Sequence, residues 1–184
     1  MKLLIALLVL VLVVIVVKAM FFSFRAQSPA DYAETTPAFS LKTHLSGPIL
    51  SEGLIYGPGG RVTSRFTAKM HGIWDGDTGT LSEEFTYSTG RKQSRKWYLT
   101  LGPGDTFTAT ADDIVGEAKG VVSGATLRME YEIILPQEAG GHTLKVTDWL
   151  YLTQNGVIMN RSELRKFGIK VAELMATMRP DPGR

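Results

Sequence analysis

From Gly47 to Met178 the chain repeats one pattern: six to eleven residues rich in Thr, Val, Ile, Tyr and Phe, then a cluster of Gly, Pro, Asn or Asp. The clearest case is Arg61–Trp74, where Val62, Ser64, Phe66, Ala68 and Met70 alternate with Arg61, Thr63, Arg65, Thr67 and Lys69. A period of two is the signature of a strand with one face buried. Leu81, Glu83, Phe85 and Tyr87 share a face of Thr80–Tyr87, and Leu127, Met129, Tyr131, Ile133 and Leu135 share a face of Thr126–Leu135. Ile49–Tyr56, Lys92–Leu101, Thr106–Ala111, Glu117–Val122 and Ile169–Met178 continue the series, with Asp112–Gly116 and Ser162–Phe167 as short helical or irregular breaks. Strands at this spacing, with turn chemistry between them, predict an all-β, single antiparallel meander. Closing it into a barrel of about 8–10 strands removes the exposed edges, and a two-sheet sandwich is the competing arrangement.

Lys145 to Gly168, KVTDWLYLTQNGVIMNRSELRKFG, reads as one hairpin of that meander. Gln154-Asn155-Gly156 supplies the turn, because Asn and Gly tolerate positive φ. Val146, Leu150 and Leu152 share a face that also carries Asp148, opposite Thr147, Trp149 and Tyr151. An acid among aliphatics, facing a return strand with Asn160 and Arg161, belongs either to a buried structural pair or to a pocket.

Ahead of the barrel stands a different signal. Leu3 to Val17 is an unbroken apolar run between Lys2 and Lys18, followed by Phe21, Phe22 and Phe24. Fifteen helical residues cover about 22 Å, short of a hydrocarbon core of about 30 Å; extending to Phe24 gives about 33 Å if Lys18 snorkels. Residues 1–25 are therefore expected to be a transmembrane anchor or signal, single-pass with the soluble domain outside the cytoplasm. A cleaved export signal competes, although Phe24 or Val17 would occupy the −3 position of the available cut sites. Residues 26–45, with Pro29 and Pro37, read as a polar tether, 46–179 as the barrel and 180–184 as a tail.

Composition narrows the function classes. The formal net charge is +2 over 184 residues. Setting aside Lys2, Lys18 and Arg25 leaves 17 basic against 18 acidic residues, so the domain lacks the excess that nucleic acid binding needs. There is no cysteine, hence no thiolate metal site, thiol catalysis or acylated-cysteine anchor. His44, His71 and His142 are too scattered for a metal motif, and no nucleophile elbow or phosphate loop is present; neither cofactor nor metal is expected. Asp112-Asp113 and Asp75-Gly76-Asp77 read as turns before they read as proton-transfer or calcium sites.

The candidate ligand-binding residues are Arg95, Trp97, Asp148, Trp149, Asn160 and Arg161. Arg95 shares a strand face with Trp97, so if that face is inward the guanidinium needs a carboxylate, from Asp148 or Glu83. One outcome is an ion pair closing a filled barrel with Trp97 as plug. The other has Arg95 or Arg161 gripping an anionic head while the aliphatic lining receives an acyl chain.

Several separated blocks, Gly90-Arg91 through Arg95-Lys96-Trp97-Tyr98-Leu99, ADDIVGEAKG (111–120), GATLRMEYEIILP (124–136), TDWLYL (147–152) and NRSELRKFG (160–168), resemble the bacterial domain-of-unknown-function family 3833. The resemblance runs from about Ala38 to Met178. It implies an exported, membrane-attached, lipocalin-like barrel, held at the bacterial inner membrane with the soluble domain facing the periplasm, and encoded near genes for fatty-acyl modification of phospholipids. Relatives are commonly anchored through an acylated Cys, which this chain lacks, and the family carries a further acid where this chain has Thr147. The expected function is binding or carriage of a lipid, fatty-acyl or other apolar ligand in the cell envelope. The alternatives are a structural or assembly partner recognised through Trp74 or Tyr98, and an enzyme using Asp112, Asp113 or Asp148 as acid or base.

Overall fold

Ten strands follow one another through turns chosen by sequence: β1 (Gly47–Tyr56), β2 (Val62–Asp75), β3 (Thr78–Tyr87), β4 (Lys92–Leu101), β5 (Thr106–Thr110), β6 (Ala118–Ser123), β7 (Thr126–Ile134), β8 (Thr143–Leu152), β9 (Ile158–Lys166) and β10 (Ile169–Pro180). In the computed structural model each pairs antiparallel with its sequence neighbour, and β1 pairs with β10 over Ile49–Tyr56 to close a lipocalin-like barrel. The continuous ladder excludes the sandwich. The structure describes residues 1–21 and 23–183, without the side chains of Ala19 and Met20; Phe22 and Arg184, counted above with the interfacial aromatics and the tail, lie outside the described residues.

The alternation carries through to burial. Phe66, Ala68 and Met70 of β2, Leu81 and Glu83 of β3, and Trp97 and Leu99 of β4 are buried, while their sequence neighbours face solvent. Asp112–Gly116 is irregular, as expected, apart from a bridge between Ile114 and Ile133. Ser162–Phe167 is not a break: β9 runs through Lys166, and a two-residue turn at Phe167-Gly168 leads into β10. Its polar sequence misleads because Ser162 and Glu163 are both buried, Ser162 opposite Asp148 and Glu163 under Arg165.

Residues 26–45 form a strap rather than a free tether. Tyr32 lies on the outer wall against Trp149, with ring centroids 5.2 Å apart. Gln27 Oε1 accepts hydrogen bonds from both Tyr32 and Tyr151, each at 2.6 Å. Farther along, Phe39 N–H donates to Gly124 O, and the short helix α2 (Leu41–His44) turns Leu41 and Leu45 into one end of the barrel. A Cβ on Gly72 would stand 1.9 Å from Leu45 O, so a glycine is required where the strap crosses. Trp74 is half-buried and donates through Nε1 to Leu45 O at 3.0 Å, which corrects its expected role as an exposed docking aromatic; Tyr98 is exposed.

The N-terminal run is helical as expected, α1 spanning Lys2–Phe21. Every side chain from Leu3 to Val17 is exposed. Among the described residues no helix is long and apolar enough to cross a membrane, so α1 does not meet the expectation of a transmembrane span on its own.

Candidate functional site

The strap and α2 close one barrel end, and Phe66, Phe85 and Tyr87 crowd the other, with ring centroids of 5.3–6.2 Å. Between them lies a cavity of about 120 Å³. Most of its lining is apolar, including Met70, Leu99, Leu127, Met129, Leu150 and Met178. A polar belt interrupts this lining at mid-height, and it is assembled from opposite walls.

On one wall Glu83 and Arg95 are cross-strand partners of β3 and β4. Arg95 Nε donates to Asp113 Oδ1 at 2.9 Å, and the guanidinium lies 4.1 Å from the Trp97 ring centroid and 5.6 Å from that of Tyr131. Its direct partner is thus Asp113, from the irregular segment, rather than Asp148 or Glu83. Asp112-Asp113 forms a turn, the reading favoured for it, and Asp113 turns toward Arg95. On the other wall Asp148 and Ser162 are cross-strand partners of β8 and β9, and the Ser162 hydroxyl is 2.9 Å from Asn160 Oδ1.

Burial governs the protonation of these groups. Desolvation pushes Glu83 up to about 7, against the pull of Arg95 and with a smaller push from Asp148 and Asp113. Burial likewise raises Asp148, although Ser162, Arg95 and Tyr131 stabilise its charge, and raises Tyr131 well above the ordinary phenol value. Arg95 remains a cation because Tyr131, Glu83 and Asp113 together outweigh its desolvation. Arg95 Nη2, Asp148 Oδ1 and Ser51 Oγ are buried with no hydrogen-bond partner. All three residues line the cavity. An unsatisfied buried polar group costs about 1–3 kcal/mol, so three on residues that line one void are a cost that a polar guest there would relieve.

The structure therefore brings Arg95, Trp97, Asp148 and Asn160 together in the lumen and excludes the other two candidates. Trp149 is 1% exposed, but it is covered from outside by Tyr32 and by Arg128, whose guanidinium is 5.9 Å from the indole. Arg161 points outward, donating through Nε to Glu173 Oε1 at 2.7 Å and lying 5.0 Å from the Phe24 ring. The sequence places Trp149 on the face opposite Asp148, and the register of β8 and β9 pairs Arg161 with Trp149 on that outer face. Sequence reasoning missed Ser51, Tyr131 and Ser162 as site residues, and it weighed Asp113 only as an acid or base, not as the partner of Arg95. Tyr131, sharing a face with Leu127 and Met129, and Ser162, sharing one with Asn160, carried a signal that could have found them.

The fold is similar to that of an S-type phycobiliprotein lyase, CPES from Guillardia theta, with a TM-score of 0.58 at 9% identity, covering 77% of this chain and 91% of that one. A redesigned β-barrel, mFAP1, bound to DFHBI aligns with a TM-score of 0.39 at 14% identity, over 74% of this chain and 95% of that one. No curated protein sequence matches. The sequence profile of DUF3833, proteins of unknown function, matches residues 18–180, and the chain belongs to the DUF3833 family.

Proposed function

We propose that the protein binds a small amphipathic molecule, of fatty-acyl or similar character, in its lumen, with the polar head on Arg95, Asp148 and Ser51 and the apolar body against the Met and Leu lining. The observation that carries this reading is the set of three unpaired hydrogen-bonding atoms around an otherwise apolar void. Arg95 supplies a charge-assisted donor suited to a carboxylate or phosphate oxygen. At about 120 Å³ the void matches the scale of a benzene-binding cavity of about 150 Å³ rather than a drug-sized pocket of about 300–1,000 Å³. It admits a short chain as it stands. A longer chain requires Met70, Met129 and Met178 to swing, for which unbranched thioether side chains are suited.

In the same reading α1 is a bilayer anchor and the barrel lies on the periplasmic side. Fifteen exposed apolar side chains in succession are far more than a water-facing surface element sustains, and the 20 residues of α1 from Lys2 to Phe21 make a helix of about 30 Å, the thickness of a hydrocarbon core. Alkaline extraction should leave the full chain with the membrane, and a phosphatase fused to the C-terminus should be active; release into the supernatant, or activity of a cytoplasmic reporter instead, would refute the anchor or the topology respectively.

Uptake of a fluorescent fatty acid by delipidated protein tests the lumen reading, with mass spectrometry of the purified chain to recover the native ligand. Arg95→Met should weaken uptake roughly 10–100-fold, the worth of one charge-assisted hydrogen bond. Because that change also leaves buried carboxylates unpaired, Met129→Trp provides the second arm, filling the void while keeping every charge, and it too should abolish uptake. Arg161→Met, on the outer wall, should leave uptake unchanged. Saturable uptake that survives Met129→Trp, or a lumen holding water alone, would defeat the proposal.

A further inference from the structure

Phe167 is the one non-glycine residue with positive φ among the described residues, at 52°. With Gly168 at 80° it forms the two-residue turn between β9 and β10, where both positions need positive φ and Asn-Gly is the sequence that suits them. A bulky aromatic there opposes the backbone preference, and it gains no packing in return, being 93% exposed. Ile169, the next β10 residue, is 70% exposed. The tip is nevertheless held firmly: Arg165 donates to Glu163 Oε2 from Nε and Nη2, at 3.0 and 2.6 Å, and from Nη1 to Gly168 O at 2.7 Å. Lys166 Nζ sits 5.7 Å from the Phe167 ring. A fixed hairpin therefore presents two apolar side chains beside a cation, at a conformational cost that the fold itself does not require.

The tip lies beside the chain's exit from α1. Phe24 and Arg25 share one outer groove with Lys166, Phe167 and Gly168, and Phe21, the last residue of α1, shares another with Lys170. We infer that the β9–β10 hairpin is a second membrane contact, with Phe167 and Ile169 dipping into the interfacial layer of the bilayer that α1 enters and Lys166 meeting its phosphates. This rests on the reading of α1 as an anchor. Aromatic and aliphatic side chains with a flanking Lys are the chemistry that the headgroup boundary accepts. The contact would orient the barrel on the membrane and hold its mouth, on the same side as this hairpin, against the lipid.

The absence of cysteine makes the test clean. Ile169→Cys carrying an environment-sensitive dye is reconstituted, in the full chain, into vesicles of phosphatidylethanolamine and phosphatidylglycerol containing a lipid spin-labelled near the headgroup. The dye should shift to the blue and be quenched, and adding Phe167→Glu should remove most of that quenching. The same dye at Asn155→Cys, in the turn at the opposite barrel end, should stay unquenched. A dye at Leu10→Cys, read in matching vesicles whose lipid is spin-labelled at the end of its acyl chain, reports α1 separately: quenching there without headgroup quenching at Ile169→Cys overturns the hairpin contact and leaves the anchor standing, while none at Leu10→Cys overturns the anchor. A dye at Ile169→Cys that responds only when a copurifying protein is present assigns the tip to a protein partner and likewise overturns the lipid contact.

Discussion

Glu83 and Arg95 face each other across β3 and β4, yet Arg95 spends its shortest hydrogen bond on Asp113, and Glu83 is left to protonate. Its folded value of about 7 against 4.5 for the free group means that, between those pH values, the folded chain holds a proton that the unfolded chain has released. Stability should therefore be greatest below the unfolded value and fall as pH rises through the window, by about 3 kcal/mol in total. Glu83→Gln keeps the neutral form at every pH, so the difference in chemical-denaturation stability between the variant and the native chain should widen from pH 4.5 to 8 in the variant's favour. A constant difference would show that Glu83 is ionised in the barrel. The same proton would tune ligand binding, because an ionised Glu83 competes with an anionic head for Arg95.

Strand pairing decides which of the sequence signals became sites. Gly120 of β6 lies opposite the Phe107 ring, whose Cζ would be 2.0 Å from an added Cβ. Gly120→Ala should cost about 1–3 kcal/mol by overpacking, and Phe107→Leu in the same chain should recover part of it; additive costs in a double-mutant cycle would contradict the contact. Much of the meander was legible because each lumen-facing residue leaves a period-two mark, and Glu83, Arg95, Trp97 and Asp148 could be placed on the inner face from that mark alone. Trp149 carries the complementary mark, and Arg161 shares its outward face only through the β8–β9 register, which alternation within one strand does not supply. What covers Trp149 is Tyr32, more than a hundred positions earlier, and no local pattern announces so distant a contact. The Arg95 partner was hidden for a related reason: Asp113 sits in an irregular segment, where alternation assigns no face.

At the scale of the whole molecule, a closed barrel is stapled by its own leading segment. The strap covers the outer wall at Trp149, α2 fills one end, and the polar belt sits between that filled end and an aromatic mouth. A lumen built only for stability would satisfy its belt internally, as buried charges that are left unpaired are destabilising. The belt instead leaves donors and acceptors unpaired on residues that line a void. The most direct measurement uses Trp97, the indole that lines the cavity and stacks with Arg95. With Trp74→Phe and Trp149→Phe removing the other indoles, fluorescence is followed as a fatty acid brominated on its chain is added. The account predicts saturable one-to-one quenching of Trp97 that Arg95→Met weakens. Emission unchanged up to the solubility limit of the brominated acid would contradict it.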